Sequence, residues 1–302
     1  MCTVIFLTGF FAVTRAQQLQ VYDLWCDSKV NPVGIDDPAP RLSWKLKAEG
    51  MNILQQAYSL RVATAADFKK EHLVWESGKT GGDESAYVPY RGPALKPATR
   101  YYWQVKVWDN RKRESPWSGT AFWETGILAP SGWKATWIEP VQDTARSLGT
   151  NIPALMVRKD FNISKKIVSA RAYVTSHGFY ELSINGRKVG DELLTPGWTS
   201  YNKRLQYQVY DITPYLQQGS NAVGAFLGDG WYRGRLGWAE NFGVWGKTLG
   251  LLCQLSIRYA DGSEETIVSD KSWKGTGDGP IVMNSIYDGE TYDARKELDG
   301  WN

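Results

Sequence analysis

Two histidines, His72 and His177, are the only imidazoles in the chain, and they lie far apart in sequence. The sequence therefore offers no local His-based acid–base pair, and no zinc-ligand cluster accompanies them. Carboxylates are plentiful, yet nothing in their spacing pairs an acid with a base in the way glycoside hydrolysis needs. No nucleophile elbow, phosphate loop or dinucleotide fingerprint occurs. The stretch that does suggest chemistry is LGDGWYRGRLGWAENFGVWG, residues 227–246, which sets Trp231, Tyr232, Trp238, Phe242 and Trp245 among six glycines. Neither helical nor strand periodicity fits it. Large rings on such a backbone either seal a core or form a platform that stacks on the apolar face of a sugar. Trp231 follows the apolar run Ala222 to Leu227, which favours packing. His177 sits in a strand-like run before Gly178 and reads as a structural histidine.

The elements that must position these residues are strands. Fifteen Trp and sixteen Tyr fit cross-strand packing in an all-β protein. Arg41 to Leu46 alternates, with Leu42, Trp44 and Leu46 on one face. Ala57 to Ala63 and Tyr101 to Trp108 alternate as well, the latter placing Tyr101, Trp103, Val105 and Val107 together. Short strands with turn signals between them predict an antiparallel sandwich of immunoglobulin or fibronectin type III kind over residues 19–128. The Gly/Pro-bearing connection at 126–135 marks a boundary.

A second β domain is expected over 131–302. Tyr180, Leu182 and Ile184 alternate up to Asn185-Gly186, the pair preferred by a two-residue type I′ turn, and Val189 lies on the return strand. Leu205 to Asp211, Leu249 to Tyr259 and Glu265 to Val268 supply further strands, with Asp211 to Leu216 a short helical turn at most. Many strands with long loops suit a jelly-roll sandwich whose loops can carry a binding site. Only Ala65 to His72 reads as helical.

At 302 residues two cores are affordable in length, and a net charge of +3 without a Lys/Arg block argues against nucleic acid. Val4 to Val13 is a short apolar run, and Thr14-Arg15-Ala16 before Gln17 resembles a small-residue cleavage site, although no basic residue follows Met1. Residues 1–16 are therefore expected to be an export signal, which makes the protein periplasmic or extracellular. No segment is long enough to span a bilayer. Beyond Cys2, the remaining Cys26 and Cys253 fall in different domains, so two buried free thiols are expected rather than a disulfide.

CDSKVNPVGIDDPAPRLSWKL (26–46), ATRYYWQVKVWD (98–109) and WSGTAFWETG (117–126) resemble the opening module of bacterial α-L-rhamnosidases. GFYELSINGRKVGDELLTPGWTSYNKRLQYQVYDIT (178–213), LGDGWYRGRLGW (227–238) and SIYDGETYDAR (285–295) are similar to the next domain of that family. The resemblance implies an inverting, two-carboxylate hydrolysis of terminal α-L-rhamnosyl groups, carried out by an (α/α)6 barrel that follows these β domains. On that reading the chain stops before any barrel, so catalytic residues are not among these 302 and the chain alone is expected to be inactive.

The resemblance also implies a calcium-assisted rhamnose site on the second domain. Its ion ligands would be Asp191, Glu192 and Asn241, hard oxygen donors of the kind calcium takes. Trp238 or Trp245 would stack on the sugar. The chain departs from the pattern in having Glu192 where an amide is preferred, and it has no clear proline ligand in 241–248. Three readings stay open: an accessory fragment of a rhamnosidase, a free-standing rhamnose-binding module, and a purely structural pair of sandwiches in which Asp191 serves a turn.

Overall fold

The period-two stretches become strands. The computed structural model describes residues 19–142, 149, 152–238 and 241–302. The expected export signal lies outside the described residues. Contacts divide the chain into two units, Met1–Leu128 and Ala129–Asn302. No described helix is long and apolar enough to cross a membrane.

The first unit contains β1 (Gln20–Cys26), β2 (Arg41–Lys47), β3 (Gln55–Ala63), β4 (Leu73–Glu76), β5 (Thr80–Gly81), β6 (Val88–Pro89), β7 (Arg100–Asp109) and β8 (Ala121–Glu124). One sheet runs β1-β2-β6 and the other β4-β3-β7-β8, with β5 added to β3. Every described pairing between these strands is antiparallel, which is the expected sandwich. Leu42 and Trp44 from one sheet meet Leu60, Val62, Trp103, Val105 and Val107 from the other in one core. Alternation in β7 is strict, buried at 101, 103, 105 and 107 and half-buried between. The outward positions also use rings. Arg61 lies over Phe68 and Trp117, and Lys106 lies over Trp117 and Trp108. Cation–ring contacts of this kind account for several aromatics without any ligand.

The helix expected from Ala65 to His72 is reduced to a single 3-10 turn at Lys70–His72. That segment contains Asp67, whose carboxylate accepts from the Lys69 amide and contacts the His72 ring at 2.8 Å. An Asx turn satisfies the backbone that a helix would otherwise have used.

The second unit has β9 (Leu155–Ile163), β10 (Ile167–His177), β11 (Phe179–Ile184), β12 (Arg187–Lys188), β13 (Gln208–Asp211), β14 (Gly219–Gly228), β15 (Gly250–Tyr259), β16 (Glu264–Val268), β17 (Lys274–Thr276), β18 (Ile281–Ser285) and β19 (Gly289–Tyr292). A five-stranded sheet β12-β11-β14-β9-β17 and a four-stranded sheet β13-β10-β15-β16 share one core, and β18-β19 is a separate hairpin. Ile184 pairs with Arg187 across Asn185 and Gly186, both at positive φ, as a type I′ turn requires. The Asn185 amide donates to the Tyr215 carbonyl and to Asn221, which pins the turn.

Candidate functional site

Two long loops emerge at the same end of the five-stranded sheet. The pairing of Phe179 with Gly228 places the start of β11 beside the end of β14. The segment after β12 folds back along that end, because Thr195 clasps Tyr180: the Tyr180 amide donates to the Thr195 carbonyl at 3.0 Å, and the Thr195 hydroxyl donates to the Tyr180 carbonyl at 2.8 Å. Residues 189–207 and the ring-rich stretch after Gly228 therefore meet.

The ring-rich stretch begins with the one described α-helix, α1 (Gly230–Arg233), where the sequence suggested no regular element. Tertiary contacts make this turn. Gly230 has φ of +53°, and a Cβ there would sit 2.8 Å from the Phe179 ring. Arg233 Nε donates to Asp229 Oδ1 at 2.7 Å, and both side chains are buried. Arg233 Nη1 donates to Gln142 Oε1 at 2.8 Å, and the Gln142 amide also brackets Leu249 through its backbone N–H and carbonyl. Burial raises the proton affinity of the Asp229 carboxyl, and Arg233 opposes that rise.

Most of the loop rings are packed. His177 lies between Trp137 and Tyr232, at 4.1 and 4.6 Å between centroids and within 7° of parallel to each. It is a structural ring, as its sequence context suggested, and burial lowers its proton affinity. Tyr232 then meets Tyr201 edge-on, and Tyr201 meets Trp245 at 5.8 Å. Trp245 is half-buried, with an indole nitrogen that has no hydrogen-bond partner among the described residues. Trp231 stacks on Trp198 at 5.6 Å and 12°, and Phe179 meets it edge-on. Trp238, in contrast, is fully exposed at 102%.

Asp191 and Glu192 are both exposed, directly after the hairpin. Among the described residues neither carboxylate has a hydrogen-bond or ion-pair partner. Both lie near enough to Tyr210 to add to a phenol proton affinity that burial already pushes up to about 12. Asn241 sits in the other loop, where its carbonyl accepts from the Leu236 amide at 3.0 Å. No hydrogen bond or ion pair among the described residues joins Asn241 to the carboxylates. No group of three or more His, Cys, Asp or Glu that could hold a metal occurs among the described residues. Asp191 and Glu192 are oxygen donors of the kind a hard cation takes, and among the described residues no histidine, cysteine or third carboxylate joins them.

The sequence reading did not single out Trp198, Gln142 or the Asp229–Arg233 pair. The spacing of Asp229 and Arg233 at i,i+4 was the one available signal, and it has meaning only once a helix is present.

Known proteins resemble both units of the chain. The Rha78A-like N-terminal immunoglobulin domain matches residues 21–129, and the alpha-L-rhamnosidase N-terminal domain matches residues 165–302. Two α-L-rhamnosidases of Formosa agariphila are 37% and 38% identical over 90% and 96% of this chain, which corresponds to 30% and 33% of their own lengths. The structure of α-L-rhamnosidase from Dictyoglumus thermophilum superposes with a TM-score of 0.85 at 40% identity, covering 94% of this chain and 32% of that one. That of the Streptomyces avermitilis α-L-rhamnosidase complexed with L-rhamnose gives 0.87 at 27% identity, covering 94% and 43%. The chain spans about a third of the length of these curated relatives. Residues 21–129 and 165–302 are the two N-terminal domains of the α-L-rhamnosidase family, to which the chain belongs.

Proposed function

We propose that the chain is the N-terminal accessory part of an exported α-L-rhamnosidase, and that its second unit holds α-L-rhamnosyl groups of a carbohydrate substrate with the help of a calcium ion. The two family matches lie in order along the chain, and the relatives extend well past the span they share with it. The whole enzyme would hydrolyse terminal α-L-rhamnosyl groups with inversion, using carboxylates in the remainder of its length.

The observation that carries the sugar reading is the Asp191–Glu192 pair, exposed and without partners among the described residues, on one of two ring-bearing loops. Calcium, when bound, supplies coordination for the vicinal hydroxyls of a sugar. Asp191 and Glu192 would balance its charge, and the Asn241 loop would add neutral oxygens. A single sugar presents few atoms, so affinity in the range of roughly millimolar to tens of micromolar is expected.

Titration calorimetry with L-rhamnose, in calcium and then in EDTA, tests this reading. Heat of binding in calcium that disappears in EDTA and in Asp191→Ala supports it. No heat in calcium, or binding that survives both changes, refutes it.

A further inference from the structure

The exposed rings of the second unit are not equivalent as sugar platforms. A ring that stacks on a pyranose needs one free face, a fixed orientation, and hydrogen-bonding groups at its edge. The fixed orientation matters because every side chain that has to be ordered on binding weakens affinity. We propose that Trp198 is the floor on which the sugar stacks. The inference rests on the rhamnose reading above and names the ring that reading leaves undecided between Trp238 and Trp245.

Trp198 is 56% exposed, and one of its faces is covered by Trp231 in near-parallel contact. Among the described residues no second ring packs against Trp198. Trp231 is braced in turn by Phe179 at 4.9 Å and 89°, at the start of β11. The backbone leading into Trp198 is tied down as well. Gln208 Nε2 donates to the Pro196 carbonyl at 3.1 Å, the Tyr201 hydroxyl donates to the Gly197 carbonyl at 3.1 Å, and the Gly197 amide donates to the Leu194 carbonyl at 3.0 Å. The platform is therefore ordered before a ligand arrives.

Neither alternative ring meets these conditions. Trp238 is solvated on all sides and has no ring contact among the described residues, so a ligand would have to order it. Trp245 is half-buried against Tyr201, and its indole nitrogen is enclosed.

The surroundings of Trp198 select the sugar. Leu193 and Leu194, on the same loop, are 80% and 52% exposed. They offer an apolar flank to the C6 methyl of a 6-deoxyhexose, where the C6 hydroxyl of the parent hexose would lose its water. The exposed Gln206 carries its amide beside Gly197, the residue before Trp198. Asp191 and Glu192 precede the leucines on the same loop and are exposed.

The test is calorimetry in calcium with L-rhamnose and with L-mannose, its 6-hydroxy counterpart. The proteins are the intact chain, Trp198→Ala, Trp198→Leu, Trp198→Phe and Trp238→Ala. Trp198→Ala and Trp198→Leu should weaken L-rhamnose binding roughly tenfold, whereas Trp198→Phe, which keeps a ring, should stay within about threefold. Trp238→Ala should bind like the parent, and L-mannose should bind more weakly than L-rhamnose. Leucine keeps an apolar cover over Trp231, so its result stands if the alanine variant fails to fold. Parental affinity in Trp198→Leu, or loss of binding in Trp238→Ala, overturns the inference while leaving the rhamnose reading intact. Absence of binding by the intact chain overturns both.

Discussion

Arg233 lies one helical turn beyond Asp229, and its Nε meets the Asp229 carboxylate at 2.7 Å with each side chain only 4% exposed. The pair joins α1 to the sandwich, since the Asp229 amide donates to Asn284 at 2.7 Å and Arg233 also holds Gln142. A charge left alone in that position has no water to turn to. Arg233→Met should therefore destabilise the second unit by about 3–5 kcal/mol in denaturant unfolding, and Asp229→Leu by a similar amount. The double variant should cost less than either single change, because no lone charge remains.

The stack of His177 between Trp137 and Tyr232 predicts a pH dependence. Burial depresses the folded-state proton affinity of His177 below its ordinary value of 6.5. Well above pH 6.5 both folded and unfolded states are neutral at this site, and its contribution to stability is fully present. As pH falls below 6.5 the unfolded state takes up the proton first, so stability is lost progressively down through the folded-state value. The urea midpoint of the second unit should fall between pH 7.5 and pH 5.5. His177→Phe, which keeps a ring in the stack, should remove that part of the slope.

Gly178 tests how tightly β10 turns into β11. Its φ is +97°, and a Cβ would stand 2.3 Å from the Gly228 carbonyl oxygen and 2.6 Å from a Leu249 methyl. Backbone strain and overlap combine, so Gly178→Ala should cost roughly 3 kcal/mol. Gly186→Ala, in open space at φ of +75°, should cost only about 1 kcal/mol from strain. Paired thermal melts distinguish the two.

Cys26 and Cys253 are buried and free. Burial raises both thiols, Cys253 to about 12 and Cys26 well above its ordinary value with Asp27 and Asp37 adding to it. Neither should be alkylated by iodoacetamide in the folded protein at pH 8, and both should react fully in denaturant. Peptide mass spectrometry reads each site separately.

Strand positions in both units were legible because side-chain alternation alone decides which face is buried. Tyr101, Trp103, Val105 and Val107 needed only period two, and Asn185-Gly186 needed only the positive φ that this pair tolerates. The family was legible from local motifs for the same reason. The ring-rich loop was not, because its order is non-local. The α1 turn exists through Phe179, Gln142 and Asn284, which lie tens of residues away in sequence. The helix suggested at Ala65 to His72 gave way to an Asx turn at Asp67, a competition between two local hydrogen-bonding schemes that propensity does not resolve. The roles of the rings divided in the same way. Composition shows fifteen tryptophans, but only the tertiary structure leaves Trp238 in solvent, half-buries Trp245, and backs the exposed Trp198 with Trp231. Ring type and number are properties of the chain, whereas which face a ring shows to water depends on what packs against the other.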